Sequence, residues 1–164
     1  MNYHDKNWYA KSQWKATLDD KPVKLSITLV TEREPNKDRW SISYVEAGFL
    51  DSIQIIKNSL SPVTNDLDFM EIKKVLKTGE GDLSNYAVES YTNNPITKFF
   101  SLIENGYLVL QQASRPTYIF TQVPGWIFTL DYFERTGDNT GWRISKLVKA
   151  NINDKAEHNK YLGL

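Results

Sequence analysis

Residues 14–29 read Trp-Lys-Ala-Thr-Leu-Asp-Asp-Lys-Pro-Val-Lys-Leu-Ser-Ile-Thr-Leu. Trp14, Ala16 and Leu18 alternate with Lys15 and Thr17, and Val23, Leu25, Ile27 and Leu29 alternate with Lys24, Ser26 and Thr28. A period of two places one set on a buried face of a strand and the other on a wet face. Asp19-Asp20-Lys21 between the runs is turn chemistry. So is Glu34-Pro35-Asn36-Lys37-Asp38, which precedes a third run, Trp40, Ile42 and Tyr44. Sequential antiparallel pairing connects such runs most economically, so the chain is expected to open with a three-stranded meander.

Beyond it, Ile53, Ile56 and Leu60 suit a helix, while residues 52–56 suit a strand equally well. From Asp68 the period turns helical through Phe69, Ile72, Val75 and Leu76, with Asp68 and Glu71 spaced as a capping box and Gly79 after the last turn. Leu83, Tyr86, Ala87 and Ser90 hint at a short second helix. A third is marked by Asn94 as cap, Pro95 at the first position, the stripe Ile96, Phe99, Phe100 and Ile103, and Gly106 at its end. Strands are then expected over roughly 107–113, 117–123, 126–134 and 142–149. Val123-Pro124-Gly125-Trp126 has the residues of a type II turn, and residues 136–141 form a longer hairpin loop. The last dozen residues are polar and read as frayed.

Runs of strands separated from a run of helices imply an α+β fold: a curved antiparallel sheet built from both meanders, with two or three helices on one face. The 164 residues read as a single domain (residues 1–164) with an ordered core of about 12–150 between polar termini. A domain of that length buries about 68–70% of its unfolded surface, enough for a core without staples.

The chain carries 20 basic and 20 acidic residues, a formal net charge of zero, which argues against nucleic acid as a partner. It has no cysteine, and neither a signal-peptide core nor a membrane-length apolar run is present. As written the protein is expected to be soluble and cytoplasmic. Amphipathic structure within the first dozen residues also suits an exported envelope or accessory protein whose leader is missing.

A helix followed by an aromatic-rich antiparallel meander ending in Gly141-Trp142-Arg143-Ile144-Ser145-Lys146-Leu147 resembles the C-terminal half of the NTF2-like (cystatin-like α+β roll) superfamily, over residues 94–149. That superfamily opens with a helical pair, whereas this chain opens with strands. The resemblance implies a cone-shaped roll whose mouth binds small molecules, catalyses isomerisation or hydrolysis, or serves protein association, so it selects no single function.

Catalytic apparatus is sparse. Both histidines, His4 and His158, fall in the polar termini, so the body is expected to offer no imidazole for base or metal chemistry. Asp66 and Asp68 read as turn and cap, Asp138-Asn139 as a hairpin loop without the spacing of a calcium loop, and Gly79-Glu80-Gly81 as an inter-helix loop without the Lys-Ser/Thr of a phosphate cradle. No metal site and no cofactor are expected.

The segment 126–134 is apolar on both faces, with Trp126, Phe128, Leu130 and Tyr132 on one and Ile127, Thr129, Asp131 and Phe133 on the other. One reading makes both faces ordinary core. The other makes a pocket or partner surface walled by Tyr118, Phe120, Trp126, Phe128 and Tyr132, with Gln122, Arg115 and Asp131 as polar groups, Arg115 holding an anion. The expected function is a non-catalytic binding or protein-interaction domain for a small molecule or a protein, a homodimer being compatible with it. The alternative is a small NTF2-like enzyme with Asp131 as its acid or base.

Overall fold

The computed structural model describes residues 7–34, 37–53, 69–78, 83–88, 94–135 and 140–162. The alternating runs become β1 (Trp8–Leu18), β2 (Lys21–Glu34) and β3 (Lys37–Glu46), paired antiparallel in sequence order. Asp19 and Asp20 close the first hairpin with φ of 47° and 63°. Two left-handed central residues are the mark of a type I′ turn, whose twist matches that of its strands but which favours glycine at its second position. Asp20→Gly is therefore expected to raise the melting temperature by about 2–4 °C, and Asp20→Val to lower it. Identical melting of all three proteins would contradict a constrained turn.

A 3₁₀ turn (Gly48–Ser52) follows β3, then α1 (Phe69–Thr78), a second 3₁₀ turn (Leu83–Tyr86) and α2 (Asn94–Glu104). The short second helix expected near Leu83 is thus a single 3₁₀ turn. Residues 54–68, Gly79-Glu80-Gly81 and Asp138-Asn139 lie outside the described residues, as do His4, Asp68 and the side chains of Glu71 and Asn94 on which the expected caps depend.

Past Gly106, whose φ of 75° ends α2, come β4 (Leu108–Ala113), β5 (Thr117–Phe120), β6 (Trp126–Phe133) and β7 (Gly141–Lys149). β4 and β5 pair in turn with the same edge of β1, so they act as one partner strand interrupted at residues 114–116. Pro116, with no N–H to give a ladder, stands in the gap. The result is a curved, unclosed antiparallel sheet of seven strands, ordered β3-β2-β1-β5-β6-β7, with β4 beside β1.

α1 and α2 lie on one face. Ile72 and Leu76 of α1, and Ile96, Phe99, Phe100 and Ile103 of α2, are buried against Trp14, Ala16, Leu25, Ile27 and Leu29. One alternation departs from the sequence reading. Ile42 pairs with Leu29 and Tyr44 with Thr28, so Ser43 is an extra residue, a bulge that moves Tyr44 to the reverse face and lets Val45 take the core position.

Order also extends beyond the expected span of 12–150: Trp8 is buried at one end and Leu162 at the other. The expected frayed terminus forms α3 (Ile152–Ala156) and α4 (Asn159–Leu162), the first held by an Asn151–Asp154 capping box. Lys155 donates to the carbonyls of Thr121 and Val123, Ser43 Oγ donates to the Tyr161 carbonyl, and Leu162 packs with Tyr9, Val30 and Val88. This segment clasps the reverse face of the first meander.

His158, expected in a frayed tail, is part of that clasp: Tyr9 Oη and His158 Nδ1 are 2.7 Å apart, the hydroxyl donating in the tautomer whose proton is on Nε2. Burial holds His158 below its ordinary value of 6.5, with Lys160 adding to the effect and Glu157 opposing it. Burial likewise pushes the Tyr9 phenol well above 10.0, helped by Tyr161. The unfolded chain therefore binds more protons below pH 6.5 and releases its phenolic proton first above pH 10, so both ionisations favour unfolding. Melting temperature is expected to fall on either side of that window, and His158→Asn to flatten the acid limb. An unchanged acid limb in that variant would remove His158 as its cause.

Candidate functional site

The aromatic residues singled out on β5 and β6 are brought together, but unevenly. Phe120 and Phe128 face each other across the β5–β6 ladder with ring centroids 4.7 Å apart and planes 9° from parallel. Trp8 stacks on Phe120 at 5.5 Å and meets Trp40 edge-on at 5.4 Å. These rings are core: Trp8, Phe120 and Phe128 form a buried cluster of their own, edged by Trp40, Tyr118, Val123 and Leu130.

Outward from that stack the same face opens. Tyr118 is half-buried and lies 4.9 Å from Trp142, which meets Tyr132 edge-on at 5.5 Å. Trp126 is 40% exposed, Trp142 45%, Ile144 61% and Leu147 58%. β6 carries Trp126 because Pro124-Gly125 turns the chain there, Gly125 taking the positive φ of 75° and Trp126 N–H bonding the Val123 carbonyl.

β7 is exposed from Trp142 to Lys149, and no strand among the described residues pairs with its outer edge. Its register explains the patch. Leu130 pairs with Ile144 and Thr129 with Lys146, leaving Ser145 as an extra, bulged residue whose hydroxyl donates to the Thr129 carbonyl. The bulge shifts the alternation by one. Trp142 and Ile144 before it and Leu147 and Lys149 after it consequently lie on one face, opposite Tyr132, Leu130, Phe128 and Trp126 respectively. With about 200 Å² per fully exposed large side chain, the four exposed residues leave roughly 400 Å² of apolar surface open to water.

The expected polar groups do not form a convergent set: Arg115 reaches this face, over the Tyr132 ring, but Asp131 does not. Asp131 alternates with Leu130 and Tyr132 and so points to the reverse side, where it accepts a hydrogen bond of 2.5 Å from Thr117 Oγ1. Arg115 lies over the Tyr132 ring, 3.9 Å from its centroid, and is ion-paired with Glu134 at 2.5 Å, so its guanidinium is already engaged. Gln122 is half-buried beside the β5–β6 turn.

Two open depressions lie elsewhere. One of about 210 Å³ lies beside Trp14, Lys15, Lys24 and Ser114, and one of about 610 Å³ between Gly125 and Asn151. Neither includes Asp131 or the rings of β5. Among the described residues no group of three or more His, Asp or Glu side chains could hold a metal ion, and no helix is long and apolar enough to cross a membrane.

No family model, curated protein or solved structure matches the chain.

Sequence reasoning passed over Trp8, Trp142, Ile144 and Leu147. The visible signal was Trp-Arg-Ile followed by Lys-Leu-Val, apolar in both registers. Which register each half takes depends on the bulge at Ser145, which pairing with β6 creates.

Proposed function

We propose that the chain is a non-catalytic protein-interaction domain whose partner surface is the β6–β7 end of the aromatic face. The exposure of Trp126, Trp142, Ile144 and Leu147 on one face of an outer strand carries this reading. A patch of roughly 400 Å² is within the size that, on single-chain proteins, is often functional. Trp and Tyr supply large contact area with a polar handle, and they dominate the energetics of association. The positions of Asp131 and Arg115 weigh against an acid or base working in an aromatic pocket.

We further infer that residues 94–149 form a roll half of NTF2-like type, since α2 runs into the antiparallel strands β4–β7. That inference concerns shape and selects no activity.

The surface is tested by Trp142→Ser combined with Leu147→Ser. Each side chain is about half exposed, so the double variant should stay folded while losing about 1–3 kcal/mol of stability, chiefly from the Trp142 contacts with Tyr118 and Tyr132. Association with the partner that co-purifies from the producing cells should weaken about 30-fold, the equivalent of the ~2 kcal/mol carried by an aromatic anchor. Tyr107→Ser with Val109→Ser, at exposed apolar positions in and just before β4, serves as the control. Equal retention of partner by both double variants would refute the reading.

A further inference from the structure

The β6–β7 face, read above as the partner surface, also carries information about what the partner presents. β7 is a nine-residue outer strand, exposed on both of its faces past Gly141, and its two faces differ chemically. On the aromatic side stand Trp142, Ile144, Leu147 and, at the end, Lys149; on the reverse side stand Arg143, Lys146 and Val148. The strand holds three basic residues and no acidic one. Lys146 and Lys149 make no ion pair with any described residue.

We propose that β7 accepts an extended segment of a partner protein as an eighth strand, and that this segment alternates apolar residues with acidic ones. An added strand bonds through its main chain and sends successive side chains to opposite faces. Its apolar set would cover Trp142, Ile144 and Leu147, and its carboxylates would meet Lys146 on the reverse face. Lys149 adds positive charge where the incoming strand ends.

A second copy of this chain fits less well. Its β7 would add the same positive charge and offer no carboxylate to meet Lys146, and like charges set opposite one another destabilise a strand pair. A nucleic-acid strand stacked on the rings would reach only Lys149 among the basic residues of β7, because Arg143 and Lys146 face away.

The probes are two capped eight-residue peptides, one alternating Val with Glu and one alternating Val with Lys, titrated into the full chain at pH 7 and followed by amide NMR and hydrogen exchange. The Val/Glu peptide should slow exchange at alternate amides of Gly141–Lys149 and bind about 10-fold more tightly than the Val/Lys peptide. Lys146→Glu with Lys149→Glu, two exposed positions, should reverse that preference without altering the fold. Absence of protection at β7 with both peptides overturns strand addition. If the Trp142/Leu147 double variant has nonetheless lost its partner, the partner surface stands and only the mode of binding fails. A concentration-dependent dimer abolished by Trp142→Ser, or a ten-residue oligothymidylate that perturbs β7 more strongly than the Val/Glu peptide, also overturns the proposal, in favour of a second copy or of single-stranded nucleic acid.

Discussion

Phe99→Ala is expected to cost about 3–5 kcal/mol, the range for emptying an aromatic site in a packed core. Phe99 is 0% exposed, and its ring lies 5.7 Å from that of Phe100. It sits on the α2 stripe that packs against β3 and β4, so its loss opens a void between helix and sheet, bounded by two rigid elements that cannot collapse into it. For a chain of 164 residues each kcal/mol is worth about 2–4 °C, so the melting temperature should drop by roughly 6–20 °C. Phe99→Leu should recover much of that loss, because most of the volume is restored. A melting temperature unchanged by the alanine substitution would mean that α2 is not the element that closes the core.

Trp8→Ala is expected to cost a similar 3–5 kcal/mol but to act on a different part of the molecule. β5 joins the first meander by only four residue pairs, from Trp8–Phe120 to Lys11–Thr117, and Trp8 is the side chain that carries the Phe120–Phe128 stack across that junction to Trp40. Its removal should loosen β5, β6 and β7 as a unit. Their amides should exchange faster, while those of α2 and the β1–β2 hairpin stay protected, since local opening follows the elements that lose buried contacts. Uniform acceleration over the whole sheet would show that Trp8 belongs to one undivided core.

The stripe of Phe99 was plain because Ile96, Phe99, Phe100 and Ile103 recur at helical spacing between Pro95 and Gly106, so propensity, capping and pattern agree. Trp8 falls outside the expected core although it is in phase with Ala10, Trp14 and Ala16, because Lys11-Ser12-Gln13 interrupts the apolar run and its partners, Phe120 and Trp40, lie far away in sequence. The same reason hides His158, whose hydrogen-bond partner Tyr9 lies 149 residues away in sequence.

The sequence by itself determined the order of elements: the opening meander, the helices whose apolar stripes could be counted, and the closing strands. Those features depend on periodicity and turn chemistry within a dozen residues, and local sterics suffice to specify them. It also pointed to residues 126–134 as more apolar than one buried face requires. Only the tertiary structure decided which aromatic residues became core and which stayed at the surface. Phe120 and Phe128 are stacked beneath Trp8, Asp131 is turned away by strand alternation, and Arg115 is taken up by Glu134 and Tyr132. The bulges at Ser43 and Ser145 belong to the same class. A bulge is a property of a strand pair, set by how two distant segments fit their hydrogen bonds and side chains together, so neither segment alone encodes it. One such bulge keeps Trp142, Ile144 and Leu147 on a single face.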